Sequence, residues 1–240
     1  MDGRFPLWTE SRIPKEGAGA NPGHWVIPAF ALGKYRDFST SLSPGEFMSL
    51  ILASNSEIRR AMLTQAGLEF VVHSPDFDEQ LVKERHVGDS QSLARKLAEG
   101  KALSIAKAGD DWAIGSDSVV ELDGARYSKP RDRDEAACHL AAFSGHTLQL
   151  SSAVALAHRG RIDWSHSETA RLDVRPLSPH FIHSYLDAEW PAVSYCVGVF
   201  RMEALGVTLF EKVEGSHFTI LGMPLLPLLG ALRQRGLMAS

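Results

Sequence analysis

The stretch "LILASNSEIRR", residues 50–60, indicates the fold class because it joins a short apolar strand to a polar helix start. Its first four residues are apolar and predict a buried strand. The serines that follow are typical of a helix N-terminus, where a hydroxyl accepts hydrogen bonds from free N–H groups. With Ser56 as the N-cap, Arg59 and Arg60 fall in the first helical turn. The helix dipole disfavours cations there, so the two arginines are either unfavourable or placed to meet an anion.

The α/β pattern continues along the chain from residue 50. An acidic loop, "DFDE" (76–79), follows the second strand, and two hairpin turns are predicted at Asp123-Gly124 and Arg159-Gly160. The predicted strands include 50–53, 69–73, 112–115 with its extension into the first hairpin, and 147–158. The predicted helices lie at about 57–67, 90–107 and 132–143, after Pro179 and after Pro224. Alternating strands and helices of this kind predict a mixed α/β fold.

Composition excludes several classes of protein. The chain has 240 residues and a formal net charge of −4, so it lacks the general basic field of a nucleic-acid-binding protein. The longest apolar stretch, residues 221–232, is broken by Pro224 and Pro227 and is too short to span a bilayer. Two cysteines, Cys138 and Cys196, form no disulfide framework, which favours the cytoplasm.

The first 47 residues differ from the rest of the chain. Proline and glycine are scattered among short apolar pieces, with no sustained period of a helix or a strand. We therefore expect residues 1–47 to be a disordered extension, or to precede a true start at Met48. The predicted catalytic domain comprises residues 48–240.

Several charged residues lie at predicted strand ends or on helices facing them. Asp117 follows a strand, where a carboxylate can hold a metal or activate water, although it can equally cap its own turn. Glu79 closes an acidic loop that could simply be solvated. The cations Arg59, Arg60, Lys101 and Lys129 lie on three separate segments, as a triphosphate site requires, but each alone is typical of a surface charge. The phosphate-binding motif GxxxxGK[ST] and the dinucleotide motif GxGxxG are absent.

Seven short motifs occur in a fixed order, and together they resemble the Maf family of nucleoside triphosphate pyrophosphatases over nearly all of residues 49–236. They are "LASNSEIRRAML", "DFDE", "AEGKA", "IGSDSVV", "SKP", "FSGH" and "EGSHFTILGMPL". The segment "EWPAVSYCVGVFRMEALGVTLFEKVEGS" is most similar to the branch that acts on 7-methyl-GTP, because Glu203 stands where the dTTP/UTP branch has glutamine. The resemblance implies an elongated central sheet with flanking helices and a cleft between two lobes, similar to inosine triphosphatase.

The same resemblance implies roles for individual residues. Asp117 would be catalytic and, with Glu79, would hold Mg²⁺ or Mn²⁺. The substrate-binding positions would be Ser54, Arg59, Arg60, Glu79, Lys101 and Lys129. The positions that select the base would be Ile58, Ser118 and Glu203, and at the first two the 7-methyl-GTP branch has Trp and Gln instead.

The implied activity is hydrolysis of a nucleoside triphosphate between its α and β phosphates, on modified nucleotides such as 7-methyl-GTP. The alternative function is a nucleotide-binding regulator of septum formation with little catalysis, because the family is also linked to cell division. A pure binding protein could lose Asp117, so its presence with Lys101 and Lys129 favours the enzyme. The implied partners are the nucleotide and a second copy of the chain in a homodimer, without nucleic acid or membrane.

Overall fold

A seven-stranded mixed sheet forms the centre of the protein. The computed structural model describes residues 49–106 and 110–239, and the proposed extension 1–47 lies outside these ranges. The strands are β1 (Leu50–Ala53), β2 (Val71–His73), β3 (Trp112–Leu122), β4 (Ala125–Tyr127), β5 (Thr147–His158), β6 (Arg161–Val174) and β7 (Phe210–Glu214). Their order is β2-β1-β3-β5-β6-β7, with β4 paired to β3. The pairs β1–β2 and β1–β3 are parallel and the others antiparallel, which confirms the predicted α/β class.

Helices flank this sheet. They are α1 (Glu57–Gln65), α2 (Glu79–Arg85), α3 (Ser90–Ile105), α4 (Arg133–Phe143), α5 (Pro179–Glu189), α6 (His217–Ile220) and α7 (Leu225–Gln234), with 3₁₀ turns at Ala192–Tyr195 and Leu205–Leu209. No helix in the part of the chain that the structure describes is long and apolar enough to cross a membrane.

Two local expectations need correction. Ser56 is the N-cap of α1 as predicted, but its side chain makes no capping hydrogen bond, and Ser54 Oγ instead accepts from Ser56 N at 3.2 Å. Glu79 does not end a loop, because Asp78 caps the first turn of α2 by accepting from Leu81 N at 3.0 Å. The sequence does not predict α2, because this helix buries none of its seven residues and so lacks an apolar period.

Helix α3 packs unusually close to β3, and a glycine permits it. A Cβ on Gly115 would lie 2.1 Å from Ala98 O and 2.6 Å from Ala102 N, so only glycine fits at this contact. The residues around it are small as well: Ala94, Ala98 and Ala102 pack with alanines of β3 and β5 in one buried cluster. The close approach brings the middle of α3 directly over β3.

Strand β3 has an open edge halfway along its length. On that side β1 pairs with β3 as far as Ala53 opposite Gly115, and β4 begins only at Val120 opposite Tyr127. Among the described residues, no strand pairs with 116–119 on this side. Asp117 and Ser118 therefore lie at a gap between two strands, where the turn after β1 and the loop after β4 converge.

Candidate active site

Three charged residues from separate elements meet at this gap. Lys101 Nζ on α3 lies 2.6 Å from Asp117 Oδ1 on β3 and 2.8 Å from Glu79 Oε1 on α2. Lys101 and Asp117 are 7% and 8% exposed, so the pair is buried. Removing one member of a buried ion pair leaves the other charge uncompensated, which makes the arrangement sensitive to substitution.

Glu79 is held by two lysines. Its second oxygen, Oε2, lies 3.4 Å from Lys83 Nζ one turn further along α2. Burial acts to raise the pKa of Glu79, but the charges and hydrogen bonds of Lys101 and Lys83 outweigh it, so this pKa lies below its ordinary value. Glu79 is therefore ionised over the whole neutral range. Lys83 was not singled out from the sequence, because a lysine on an exposed helix carries no distinguishing signal.

Arg59 is fixed by three acceptors at the open edge of β3. Its Nε donates to Gly222 O at 2.9 Å, Nη1 to Ser116 O at 3.0 Å and Nη2 to Ser118 Oγ at 3.2 Å. Burial lowers the pKa of Arg59, while the carboxylates of Asp117 and Glu79 act in the opposite direction. A guanidinium has five N–H groups, so these three bonds leave two for an anion.

Arg60 lies on a different side of α1. Its side chain is 58% exposed, and Nη2 lies 4.0 Å from Glu57 Oε1. Glu57, Arg60, Ala61 and Thr64 line a shallow surface groove on this helix. The structure thus brings only one of the two predicted arginines to the Asp117–Lys101–Glu79 cluster.

Cys196 lies near two of the remaining predicted charges. Burial raises the pKa of the Cys196 thiol to about 11, the Glu203 carboxylate adds to the rise, and Arg201 and Lys129 oppose it. Glu203 and Lys129 therefore both lie within electrostatic reach of this thiol. A single cysteine in an irregular segment gives no sequence signal for such a position, which explains why Cys196 was not predicted.

The three predicted specificity positions differ in their surroundings. Ser118 lines a cavity of about 160 Å³ together with Lys83, Leu93, Val119, Arg126, Tyr127, Ser128 and Val197. Ile58 is half-buried on α1, and Glu203 is exposed in the loop before the second 3₁₀ turn. Ser54 is buried and shapes the turn after β1 through its bond to Ser56 N. Ser128, the residue before Lys129, also lines the cavity, so the loop after β4 forms part of its wall.

The carboxylates suit a hard divalent cation. Mg²⁺ commonly uses only one or two protein carboxylates and completes its octahedron with waters and substrate phosphates. Asp117 and Glu79 provide such a pair, since both contact the same ammonium. Within residues 49–106 and 110–239, no group of three or more His, Cys, Asp or Glu side chains could hold a metal without the substrate.

The chain is similar to a known family and to named proteins of that family. The family described as "Maf-like protein" matches residues 49–235. A Rhizobium meliloti (strain 1021) protein named 7-methyl-GTP pyrophosphatase is 42% identical over 191 residues, covering 78% of this chain and 96% of the relative. A Nitrobacter winogradskyi protein named nucleoside triphosphate pyrophosphatase is 41% identical over 192 residues, covering 79% and 95%.

Two solved structures match about half of this chain. The Staphylococcus aureus Ham1 protein matches with a TM-score of 0.35 and 16% identity over 52% of this chain and 71% of that chain. A dITP/XTP pyrophosphatase from Mycobacterium abscessus matches with a TM-score of 0.34 and 17% identity over 54% and 76%.

Proposed function

This chain belongs to the Maf family, and we propose that it hydrolyses nucleoside triphosphates to a nucleoside monophosphate and pyrophosphate. The observation that carries the proposal is the Asp117–Lys101–Glu79 cluster, in which Lys101 and Asp117 are buried, beside the fixed guanidinium of Arg59. Relatives named nucleoside triphosphate pyrophosphatase and 7-methyl-GTP pyrophosphatase support it.

In the reaction, a water oxygen attacks the α phosphorus, the bond to the bridging α–β oxygen breaks, and pyrophosphate leaves. Asp117 is placed to accept the proton of that water, because Lys101 fixes one of its oxygens at 2.6 Å and leaves the other available. The two remaining N–H groups of Arg59 bind phosphate oxygens. Lys129 contributes positive charge from the loop after β4, and Arg60, on the exposed side of α1, contributes only at long range. Fixed cations stabilise the negative charge that develops on the leaving pyrophosphate.

A divalent cation fits the same scheme. Asp117 and Glu79 would hold Mg²⁺ or Mn²⁺, which supplies charge neutralisation of the phosphates and a lower pKa for water. In the protein alone, the ammonium group of Lys101 contacts both carboxylates and compensates part of their negative charge.

We further propose a guanine-type base. Glu203 can accept hydrogen bonds from the N1–H and the exocyclic amine of guanine, whereas uracil and thymine present carbonyl oxygens on either side of a single donor. A carboxylate facing those oxygens is repelled. Ile58 cannot stack on a methylated base as tryptophan does, so we expect discrimination between 7-methyl-GTP and GTP of no more than about tenfold.

Product analysis with a panel of nucleotides tests this function. With 7-methyl-GTP, GTP, dTTP and UTP, phosphate should appear only after inorganic pyrophosphatase is added, and kcat/KM should favour the two guanine nucleotides. Glu203→Gln should reduce that preference. Phosphate released without the added enzyme would contradict cleavage between α and β phosphates, and preference for dTTP or UTP would contradict the base assignment.

Asp117→Asn is the critical variant, since it keeps the shape of the side chain but removes its basicity. We expect kcat to fall about 100-fold or more with a native circular dichroism spectrum. If Asp117 served only to compensate the charge of Lys101, kcat would stay near the wild-type value and another group would have to accept the proton. Little turnover of any nucleotide by the wild-type protein would instead favour a nucleotide-binding regulator with little catalysis.

The location and assembly of the enzyme are also proposals. Cys138 and Cys196 are both free, which supports a reducing compartment and therefore the cytoplasm. A homodimer is expected from the family, and light scattering coupled to gel filtration measures it directly.

A further inference from the structure

A row of polar side chains crosses the sheet behind Arg59. Ser118 on β3 lies opposite Ser152 on β5, and Ser152 lies opposite Glu168 on β6, so the three side chains are in register. Helix α6 covers this row and adds Thr219. Ser152 and Thr219 are completely buried, although each carries a hydroxyl group that needs a partner.

Counting hydrogens fixes the direction of the chain of hydrogen bonds. Ser152 Oγ donates its single hydrogen to Thr219 O at 2.7 Å. The contact of 2.8 Å between Ser118 Oγ and Ser152 Oγ must then use the hydrogen of Ser118. Ser118 Oγ consequently accepts from Arg59 Nη2, and the chain runs from the guanidinium through two hydroxyls to a helix carbonyl.

The far end of the row is anchored as well. Glu168 accepts a hydrogen bond from Thr219 Oγ1, and its other oxygen lies 3.1 Å from His166 Nε2. Thr219 is therefore held by its side chain while its carbonyl holds Ser152.

Ser152 also keeps the Ser118 hydroxyl away from Gly222 O. This carbonyl accepts from Arg59 Nε at 2.9 Å. Ser118 Oγ lies 3.3 Å from the same oxygen. Without Ser152 as its acceptor, the single hydrogen of the Ser118 hydroxyl would turn to Gly222 O, the carbonyl that also holds Arg59.

We propose that Ser152 is a positioning residue, which acts through Ser118 to hold the Arg59 guanidinium in the orientation that binds the substrate phosphates. This inference rests on the proposed function only for the identity of the anion. The hydroxyl chain makes Arg59 a rigid fork rather than a mobile charge, so less conformational entropy is lost when a phosphate binds.

The test is calorimetric binding of inorganic tripolyphosphate to the full chain. We expect Ser152→Ala to raise the Kd about tenfold, as expected for loss of a hydrogen bond that supports a charged group. Ser151→Ala is the matched control, because Ser151 is 2% exposed on the same strand but bonds Thr169 Oγ1 at 2.9 Å. It removes one buried hydroxyl without touching the row and should change the Kd less than about twofold. Ser152→Cys, whose thiol is a weak donor, should shift the Kd in the same direction as Ser152→Ala.

A double-mutant cycle separates positioning from a general loss of structure. In an Arg59→Lys background, Ser152→Ala should change the Kd less than about twofold, because the group that it positions is gone. A tenfold rise in that background, or equal effects of Ser152→Ala and Ser151→Ala, would overturn the proposal. Wild-type protein that binds tripolyphosphate but hydrolyses no nucleotide would overturn the proposed function and leave this inference standing.

Discussion

Arg59 and Arg60 are adjacent in the sequence, but α1 rotates successive side chains by about 100°. Arg59 turns inward to two backbone carbonyls and the Ser118 hydroxyl, while Arg60 remains on the exposed surface near Glu57. The electrostatic difficulty of two cations at a helix start is thus met in two ways. Arg59 is compensated by the carboxylates beside it and Arg60 by solvent and Glu57.

The two arginines should therefore respond differently to substitution. Arg59→Lys keeps the charge but cannot reach three acceptors at once, so we expect kcat/KM to fall about 100-fold. Arg60→Ala should raise KM by a smaller factor, since its side chain is exposed on a different side of α1. Steady-state kinetics on the preferred nucleotide measures both, and an equal or larger effect of Arg60→Ala would contradict this ranking.

The lowered pKa of Glu79 predicts that the protein loses stability in acid. Its pKa in the folded protein lies below its ordinary value of 4.5, because Lys101 and Lys83 outweigh the effect of burial. A depressed carboxylate pKa stabilises the fold above the unfolded value, and this contribution disappears as the pH falls through the folded pKa. Glu79→Gln should thus lower the free energy of unfolding at pH 7 and flatten its decline below about pH 4.5.

Urea unfolding between pH 3 and pH 7 measures that decline. Glu57→Gln serves as the control, because the Glu57 side chain is 91% exposed and should leave the wild-type profile unchanged. The same decline in Glu79→Gln as in the wild type would show that the lysines do not stabilise this carboxylate.

The connection between α6 and α7 is as important for the geometry of the site as β3, the strand that carries Asp117. Gly222 lies in this connection at a φ of +102°, and its carbonyl accepts from Arg59 Nε. A Cβ there would lie 3.3 Å from Ser118 Oγ and 3.4 Å from Arg59 Nη2. The position therefore requires glycine both for its backbone and for the space beside the guanidinium.

Gly222→Ala should destabilise the protein by about 1–3 kcal/mol and lower kcat/KM, because backbone strain and a displaced Arg59 act together. Gly230→Ala is a matched control. A Cβ at Gly230 in α7 meets nothing within 4 Å, and alanine favours a helix by about 1 kcal/mol. Thermal melts and kinetics of both variants test this contrast. Equal stability of the two variants would contradict it.

Elements with strong local signals could be predicted from the sequence, and elements without them could not. The two hairpins form where Asp-Gly and Arg-Gly provide left-handed turns, with Asp123 and Arg159 both at a φ of 49°. Helix α2 was missed because it has no buried face. Asp117 was expected to follow a short strand, but it lies within β3, which continues to Leu122, since the polar residues at its centre border the open edge of the sheet.

The site combines residues that lie as far apart in the sequence as Ser54 and Gly222, and only folding of the whole chain brings them together. Motif order predicted Asp117, Lys101, Glu79 and Arg59, because each lies within a short recognisable segment. It could not predict Ser152, Cys196 or the Gly222 carbonyl, whose contributions depend on cross-strand register and on a turn far away in the sequence. Contacts between residues far apart in the sequence produce no periodic pattern along it.

The first 47 residues, which lie outside the described ranges, are expected to be dispensable for folding and activity. The family match begins at residue 49, and residues 1–47 lack the sustained helical or strand period that begins with the apolar run at Leu50. We therefore expect a chain that begins at Met48 to keep its melting temperature within about 2 °C, equivalent to less than about 1 kcal/mol, and its kcat/KM within about twofold. Thermal melts and turnover of the shortened and full chains measure this directly. A large loss of either would place residues 1–47 in the folded body and move the domain boundary toward the N-terminus.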